Sequence, residues 1–361
     1  MPERRPLRSK QSSGRITLRD VAREAGVSIA TASRVLNGSP SVSPATREDV
    51  LRVFARLEFA PDPLARALNA GGTNTVGAVI PSINHAIFAA FLEALEARLD
   101  ANGYCLLIAT TGMDRRVELE RARSLLEMGA RALIVTGLDH EPELTGMAKR
   151  FGAPVVATSI YEASAPLPTI GYDNTALGRQ AMQHLLDLGH RDVALVSGPT
   201  AQNDRARFRI RGAESVEGVR SLQKIETEIS VRGGVAAARE ALALDRRPTA
   251  LLCVTDLIAL GAMFELQRSG LLLPRDMSVM GFDHISWSEH SHPRLTCISL
   301  PVAAMGQESA QAICDFLTDG TQIPSVMLQG EIKVRGSTCR PPGGMAGPSD
   351  AQDASLRRRE S

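Results

Sequence analysis

At 361 residues, with 43% hydrophobic and 22% charged side chains, the chain is long enough for two or three globular domains and has the balance of a soluble protein. Its five cysteines (Cys105, Cys253, Cys297, Cys314 and Cys339) are scattered, odd in number and free of CxxC or Cys/His zinc spacing, which points to reduced thiols in the cytoplasm rather than a disulfide or zinc scaffold. No apolar h-region precedes Arg15 and no apolar run nears the roughly 18–20 residues of a membrane span, so neither a signal peptide nor a membrane protein is expected. The net charge of +1 hides an asymmetry. Residues 1–60 hold 11 Lys and Arg against 6 Asp and Glu, and the remainder holds 30 against 34. A basic head on a mildly acidic body fits a nucleic-acid-binding module joined to something else.

Residues 1–15 are polar and basic without periodicity, a disordered arm able to brush phosphate. In TLRDVAREAGVSIATASRVLN, Thr17 with Asp20 three residues on makes a capping box, so a helix opens at Leu18. Gly26 ends it, at a turn where positive φ is cheap for glycine. Ser28 caps a second helix from Ile29 to about Asn37. Val21, Ala22, Ala25, Val27, Ala32 and Val35 fall where two helices crossing at a wide angle touch, with Ala22 and Ala32 small because the crossing is close. This is a helix-turn-helix, whose second helix is shaped for a DNA major groove. Turn and spacing alone leave room for a plain helical hairpin. Ser43-Pro44 then opens a third helix carrying Val50, Phe54 and Leu57 on one stripe, and Pro61 and Pro63 end it. PLARALNAGG follows, too short to be a stable helix alone, and by composition a linker.

From Thr75 the texture changes to β-α-β-α alternation: VGAVIPSI, a helix with Phe88, Phe91, Leu95 and Leu99 on one face, YCLLIATT, a polar helix Arg116–Met128, ALIVTG and PVVATSI. The alternation restarts after Tyr172 with a helix Thr175–Leu188, VALVSG, an arginine-rich helix start, RGGVAAAREALAL, ALLCVT, a helix Leu257–Ser269, MSVMGF, LTCISL and a last helix Ala303–Thr318. The expected fold is α/β: two similar lobes of doubly wound parallel sheet, with a ligand cleft between them. The Pro/Gly-rich tail after Arg340 ends in three arginines and is read as disordered, without a leucine heptad for a tetramerisation bundle.

Enzyme chemistry finds little support. No GxGxxG opens a helix after a strand, no GxxxxGK[ST] is present, and LVSGP is not a nucleophile elbow, so no cofactor is expected. HISWSEHSH gathers Asp283, His284, Glu289, His290 and His292, but with irregular spacing and no nearby cysteine; a solvated loop is expected there, not a metal site.

The motifs ITLRDVAREAGVSIATASRVLNG, SPATRE, PLARAL, GYDNTALGRQAMQHLLDLGHRDVALVSG, ARFRIRG, TDLIALGAM and LLLPRDMSVMGFD together resemble the lactose- and purine-repressor (LacI/GalR) family of bacterial regulators, from Ile16 to Arg340. The resemblance implies a helix-turn-helix domain over 16–62, a hinge over 63–72, an N-terminal lobe over 73–173 and 301–325, and a C-terminal lobe over 174–300 and 326–340, the latter two forming a periplasmic-binding-protein-like effector domain. It places Ile29, Ala30 and Arg34 at base edges, Arg34 suiting the O6/N7 pair of guanine. Thr17, Ser28, Thr31, Ser33, Asn37 and Ser43 fall where phosphates are contacted or helices capped. Leu68 matches the hinge leucine that wedges into the central operator step, and Asn69 follows it. Effector-lining residues carried over by position are Asn84, Phe88, Asp173, Arg209, Asp256 and Asp283; Asp173 has the alternative role of a helix cap. Where the family commonly stacks an aromatic on its ligand this chain has Ile229, which tilts the effector away from a hexose or purine, with Trp287 the ring that would approach from another side.

The expected function is a DNA-binding repressor acting as a homodimer on a pseudo-palindromic operator, answering to a sugar, sugar acid or small carboxylate, and cytoplasmic at the nucleoid. A cytoplasmic solute sensor with weak or nonspecific DNA binding is the alternative.

Overall fold

The computed structural model describes residues 16–36, 38–59 and 73–342. The chain divides into two compact units, Met1–Thr73 and Asn74–Ser361. The basic arm, the hinge segment and the end of the tail lie outside the described residues, as do Asn37, Leu68 and Asn69.

In the N-terminal unit, α1 (Leu18–Glu24), α2 (Ile29–Leu36) and α3 (Pro44–Arg56) surround a core of Val21, Ala22, Ala32, Val35, Val50 and Val53. The capping box forms as expected, with the Asp20 amide donating to Thr17 Oγ1 (3.4 Å) and the Thr17 amide to Asp20 Oδ2 (3.0 Å). Gly26 takes φ +66° at the turn. Val53 rather than Phe54 carries the buried stripe of α3; Phe54 stacks on Phe59 at the rim, 5.2 Å between ring centroids.

The second unit contains two six-stranded sheets among its described residues. The first comprises β1 (Thr75–Ile80), β2 (Cys105–Thr110), β3 (Leu133–Thr136), β4 (Val155–Thr158), β5 (Thr169–Gly171) and β11 (Val326–Met327), in the order β11-β5-β4-β3-β1-β2. The second comprises β6 (Asp192–Ser197), β7 (Ser221–Glu226), β8 (Ala250–Cys253), β9 (Ser278–Asp283), β10 (Thr296–Ser299) and β12 (Glu331–Lys333), in the order β12-β10-β9-β8-β6-β7. All pairings are parallel except that of β10 with β12. Valine, isoleucine, leucine and alanine fill the central strands, which are buried along their length, as strands covered on both faces require.

Helices α4 (Ala86–Ala101), α5 (Arg115–Glu127) and α6 (Glu143–Arg150) follow strands of the first sheet, and α7 (Asn174–Asp187), α8 (Asp204–Glu214), α9 (Val231–Ala243), α10 (Asp256–Arg268) and the short α11 (Ser286–His290) belong to the second. Helix α12 (Val302–Asp319) returns to pack on α4. Two features correct the sequence reading. Strand β11 completes the first sheet, so the final crossover falls after Met327 and not at 325/326. HISWSEHSH is not loop throughout: α11 runs through it, and His284 Nε2 and Arg335 Nη2 both meet Glu289 Oε1 at 2.9 Å.

Helix α7 crosses α8 in backbone contact. A Cβ at Gly178 would stand 2.0 Å from the Arg209 carbonyl oxygen, and one at Gly212 would stand 1.9 Å from that of Thr175. No side chain fits at that crossing. We expect Gly212→Ala to destabilise the chain by about 1–3 kcal/mol in urea unfolding, because backbone rather than a flexible side chain has to move. An unchanged midpoint would contradict so close a crossing.

Candidate DNA-reading helix and inter-lobe cleft

On α2 the amphipathic pattern leaves Ile29, Ala30 and Arg34 exposed, while Ala32 and Val35 face the core. Thr31 and Ser33 lie half-buried between these faces. The Thr31 amide donates to Ser28 Oγ at 3.0 Å, and the Thr46 amide to Ser43 Oγ at 3.2 Å. Thr17, Ser28 and Ser43 therefore each cap a helix, which fixes how α2 is offered to a partner. Arg34 makes no ion pair or hydrogen bond through its guanidinium among the described residues, so the fork is free.

The second site follows from the sheets. In each, strand order reverses between the first and third strands of the lobe, and the crevice outside the carboxyl ends at such a switch point is where α/β folds bind ligands. A cleft between the two sheets is lined there. His85 and Phe88 follow β1, Met113 follows β2, Ser159 follows β4 and Tyr172 follows β5; Val254 follows β8, and Asp283 ends β9. Both lobes thus contribute.

Arg209, on α8, is buried beneath this cleft. Its Nε donates to Asn174 Oδ1 (2.9 Å), its Nη1 to the Val254 carbonyl (2.7 Å) and, more distantly, to Asp283 Oδ1 (3.5 Å), and its guanidinium lies 4.8 Å from the Phe282 ring centroid. Asn174 in turn donates to the carbonyl of Ser159 at 3.0 Å, so one amide links the arginine of one lobe to a strand end of the other. Asp283 (φ +110°) and Ser159 (φ +65°) adopt left-handed backbone unusual for such residues, strain of the kind that collects at binding sites. Burial pushes the Asp283 carboxyl up to about 6 despite the Arg209 charge that opposes it. Burial also raises the Tyr172 phenol and depresses the His85 imidazolium, the latter offset in part by a hydrogen bond to the Ile229 carbonyl across the cleft.

At the cleft edge the start of α8 grips the first lobe. The Leu138 amide donates to Asp204 Oδ2 and Arg207 Nη2 reaches Asp139 Oδ2, both at 2.5 Å, while Arg205 Nη1 donates to the Thr136 carbonyl at 3.1 Å and to its neighbour Asp204 at 2.7 Å. Arg205 and Arg209, one helical turn apart, share the inward face, and Arg207 takes the other.

The cleft brings together Phe88, Arg209 and Asp283 from the sequence expectation, together with Ile229. Four expected lining residues stand elsewhere. Asn84 is exposed on the loop before α4, its amide bonded to Ser82 Oγ. Asp173 is an exposed N-cap, accepting from the Ala176 amide at 2.9 Å; its neighbour Asn174 is the one that turns inward. Trp287 is 64% exposed on α11 and supplies no ring to the cleft. Asp256 is fully buried one layer behind: its Oδ2 accepts from the Ile285 amide (3.0 Å) and from the Ser288 hydroxyl, holding the segment after Asp283. Reading by position missed Arg205, Tyr172, Ser159 and Met305. Only Arg205 carried a signal, its four-residue spacing from Arg209.

A helix-turn-helix unit followed by a two-lobed body with an inter-lobe cleft defines a ligand-binding DNA-binding regulator as the class of protein. Residues 17–62 match the family described as bacterial regulatory proteins, lacI family, and residues 73–333 match the periplasmic binding proteins and sugar binding domain of LacI family. The chain belongs to the LacI family of transcriptional regulators. It is 30% identical to catabolite control protein A of Priestia megaterium, over 90% of this chain and 99% of that one, and 31% identical to the transcriptional repressor PurR of Vibrio campbellii, over 88% and 97%. Among solved structures it is similar to the lac repressor dimer bound to operator and an anti-inducer (TM-score 0.80, 26% identity, covering 90% of this chain and 99% of that one) and to a complex of the regulator CelR with cellobiose (TM-score 0.64, 30% identity, covering 90% and 100%).

Proposed function

We propose that this regulator represses transcription as a homodimer on a pseudo-palindromic operator, in the cytoplasm at the nucleoid, and that a small molecule in the inter-lobe cleft decides whether it binds. The observation that carries this reading is the buried Arg209–Asp283 pair of the second lobe, set against the inter-lobe cleft of a chain whose α2 offers a free arginine fork. One helix-turn-helix makes too few contacts for tight binding, and a two-fold pair matches an inverted repeat. Ligand that binds one lobe arrangement better than another shifts the population, and with it the way the two hinge segments present Leu68. The relatives are transcriptional regulators, which supports binding rather than catalysis as the work of the cleft.

A gel shift against the upstream region of its own gene, with salt titration, tests this. A repressor needs a dissociation constant of about 10⁻⁸ M or tighter at physiological salt. Binding no tighter than about 10⁻⁵ M to any sequence would favour a solute sensor instead. Arg34→Ala is expected to weaken operator binding by about 1–3 kcal/mol and to relax selection at one base pair in each half-site. Leu68→Ala is expected to abolish operator binding while the thermal unfolding midpoint stays put, since a wedge residue acts on the kinked operator and not on the protein core. Unchanged affinity would remove Leu68 from the mechanism.

A further inference from the structure

We propose that the cleft takes a compact, mostly apolar molecule with one hydrogen-bond-accepting head, a branched or aromatic monocarboxylate, and not a polyhydroxylated sugar. This rests on the reading of the cleft as the effector site and narrows what fills it.

The walls carry the first part of the argument. Ile87, Phe88, Met113, Ile229, Leu257 and Met305 present hydrocarbon, ring and thioether to the space from both lobes. Ile229 is pressed in over Gly198, where any Cβ would meet its Cγ1 at 2.2 Å, so this apolar wall is built into the second lobe.

The polar groups carry the second part, because the protein uses their acceptors and leaves mostly donors facing the space. Asn203 Oδ1 accepts from the Ala206 amide at 3.2 Å, and Thr255 Oγ1 from the Ile258 amide at 3.4 Å. The His85 imidazole faces the Ile229 carbonyl, and the Tyr172 phenol faces Ser159. Arg205 is tied to Asp204 and to the Thr136 carbonyl. What is left is mostly donors: Arg209 Nη2, the Nε and Nη2 of Arg205, the Asn203 amide nitrogen and the Thr255 hydroxyl, with the carboxyl of Asp283 beside them. A hexose would set hydroxyls from around its ring against the wall of Ile87, Phe88, Met113, Ile229, Leu257 and Met305, and each one buried there without a partner weakens binding by about five- to hundredfold. A monocarboxylate needs one good donor for its head and hydrocarbon for its body.

The Asp283 charge does not forbid an anion. Its carboxyl, raised to about 6 by burial, takes up a proton as a second anion arrives at Arg209, and then donates to it. The charged and titratable groups around Asp283 are Arg209 from α8, Asp256 from α10, held neutral by burial, Tyr172 after β5 and Cys297 on β10.

The full-length protein is screened by thermal shift and calorimetry against benzoate, phenylacetate and 4-methylpentanoate, and against D-glucose, D-ribose and D-gluconate. At least one of the monocarboxylates is expected to raise the midpoint and to change operator affinity in the gel shift, with the sugars inert. Ile229→Thr, which shortens the side chain and puts a hydroxyl into the apolar wall, is expected to weaken the active monocarboxylate by about tenfold. A shift with glucose, ribose or gluconate, or none with any monocarboxylate, overturns the proposal. Ligand binding without specific operator binding would instead overturn the repressor reading and leave this one standing.

Discussion

Replacing Arg209 by methionine should remove the response to ligand and destabilise the fold together. Methionine keeps much of the stem volume but leaves Asp283 buried without its cation, and the Asn174 and Val254 oxygens without their donor. Breaking a buried pair by removing one partner costs about 3–5 kcal/mol. The pH dependence separates this loss from a packing defect. Asp283 has a folded pKa raised from 3.8 to about 6, so between these values the folded state holds its proton more tightly than the unfolded chain does, and stability falls as pH rises through that window. Without Arg209 the folded pKa rises further. The deficit of the variant in urea unfolding should therefore be larger at pH 8 than at pH 5. An equal deficit at both would mean that Asp283 does not feel the arginine.

The second large effect is expected at Asp256. Its side chain is fully buried, Oδ2 holds the Ile285 amide and the Ser288 hydroxyl, and Oδ1 has no partner among the described residues. Burial first, and the nearby Asp283 second, drive its pKa well above the carboxylate range, so the folded state carries the neutral acid. Asp256→Ala strands two buried donors at about 1–3 kcal/mol each and frees the segment that positions Asp283. Asp256→Asn imitates the neutral acid and should keep most of the stability. Thermal unfolding of the two variants decides it: if asparagine were as damaging as alanine, Asp256 would have to be charged in the fold.

The sites were legible in the sequence to different depths. On the DNA side, the caps at Thr17, Ser28 and Ser43 and the apolar faces of α1 and α2 were all readable, because a cap and its helix lie within four residues of each other. The cleft was readable only where a residue type forced the matter, as with the inward arginine at 209. Asp173 and Asn174 are neighbours with opposite fates, one an exposed cap and one a buried link between lobes. No property of either side chain by itself distinguishes them. The short strands β5, β11 and β12, of two or three residues, carry too little pattern to see, and they exist because a neighbouring strand supplies the hydrogen bonds.

The sequence by itself determined the three N-terminal helices, the repeated β-α alternation and hence a two-lobed body, since each follows from hydrophobic period and from turn and cap residues acting over a single turn or strand. Only the tertiary structure decided which polar residues face the cleft. That choice depends on pairs far apart in the chain, such as Asn174 with Arg209 and Arg205 with Thr136. Because each buried polar group must be satisfied by a partner within about 3 Å, the partner settles whether the group belongs to the protein or is left for a ligand.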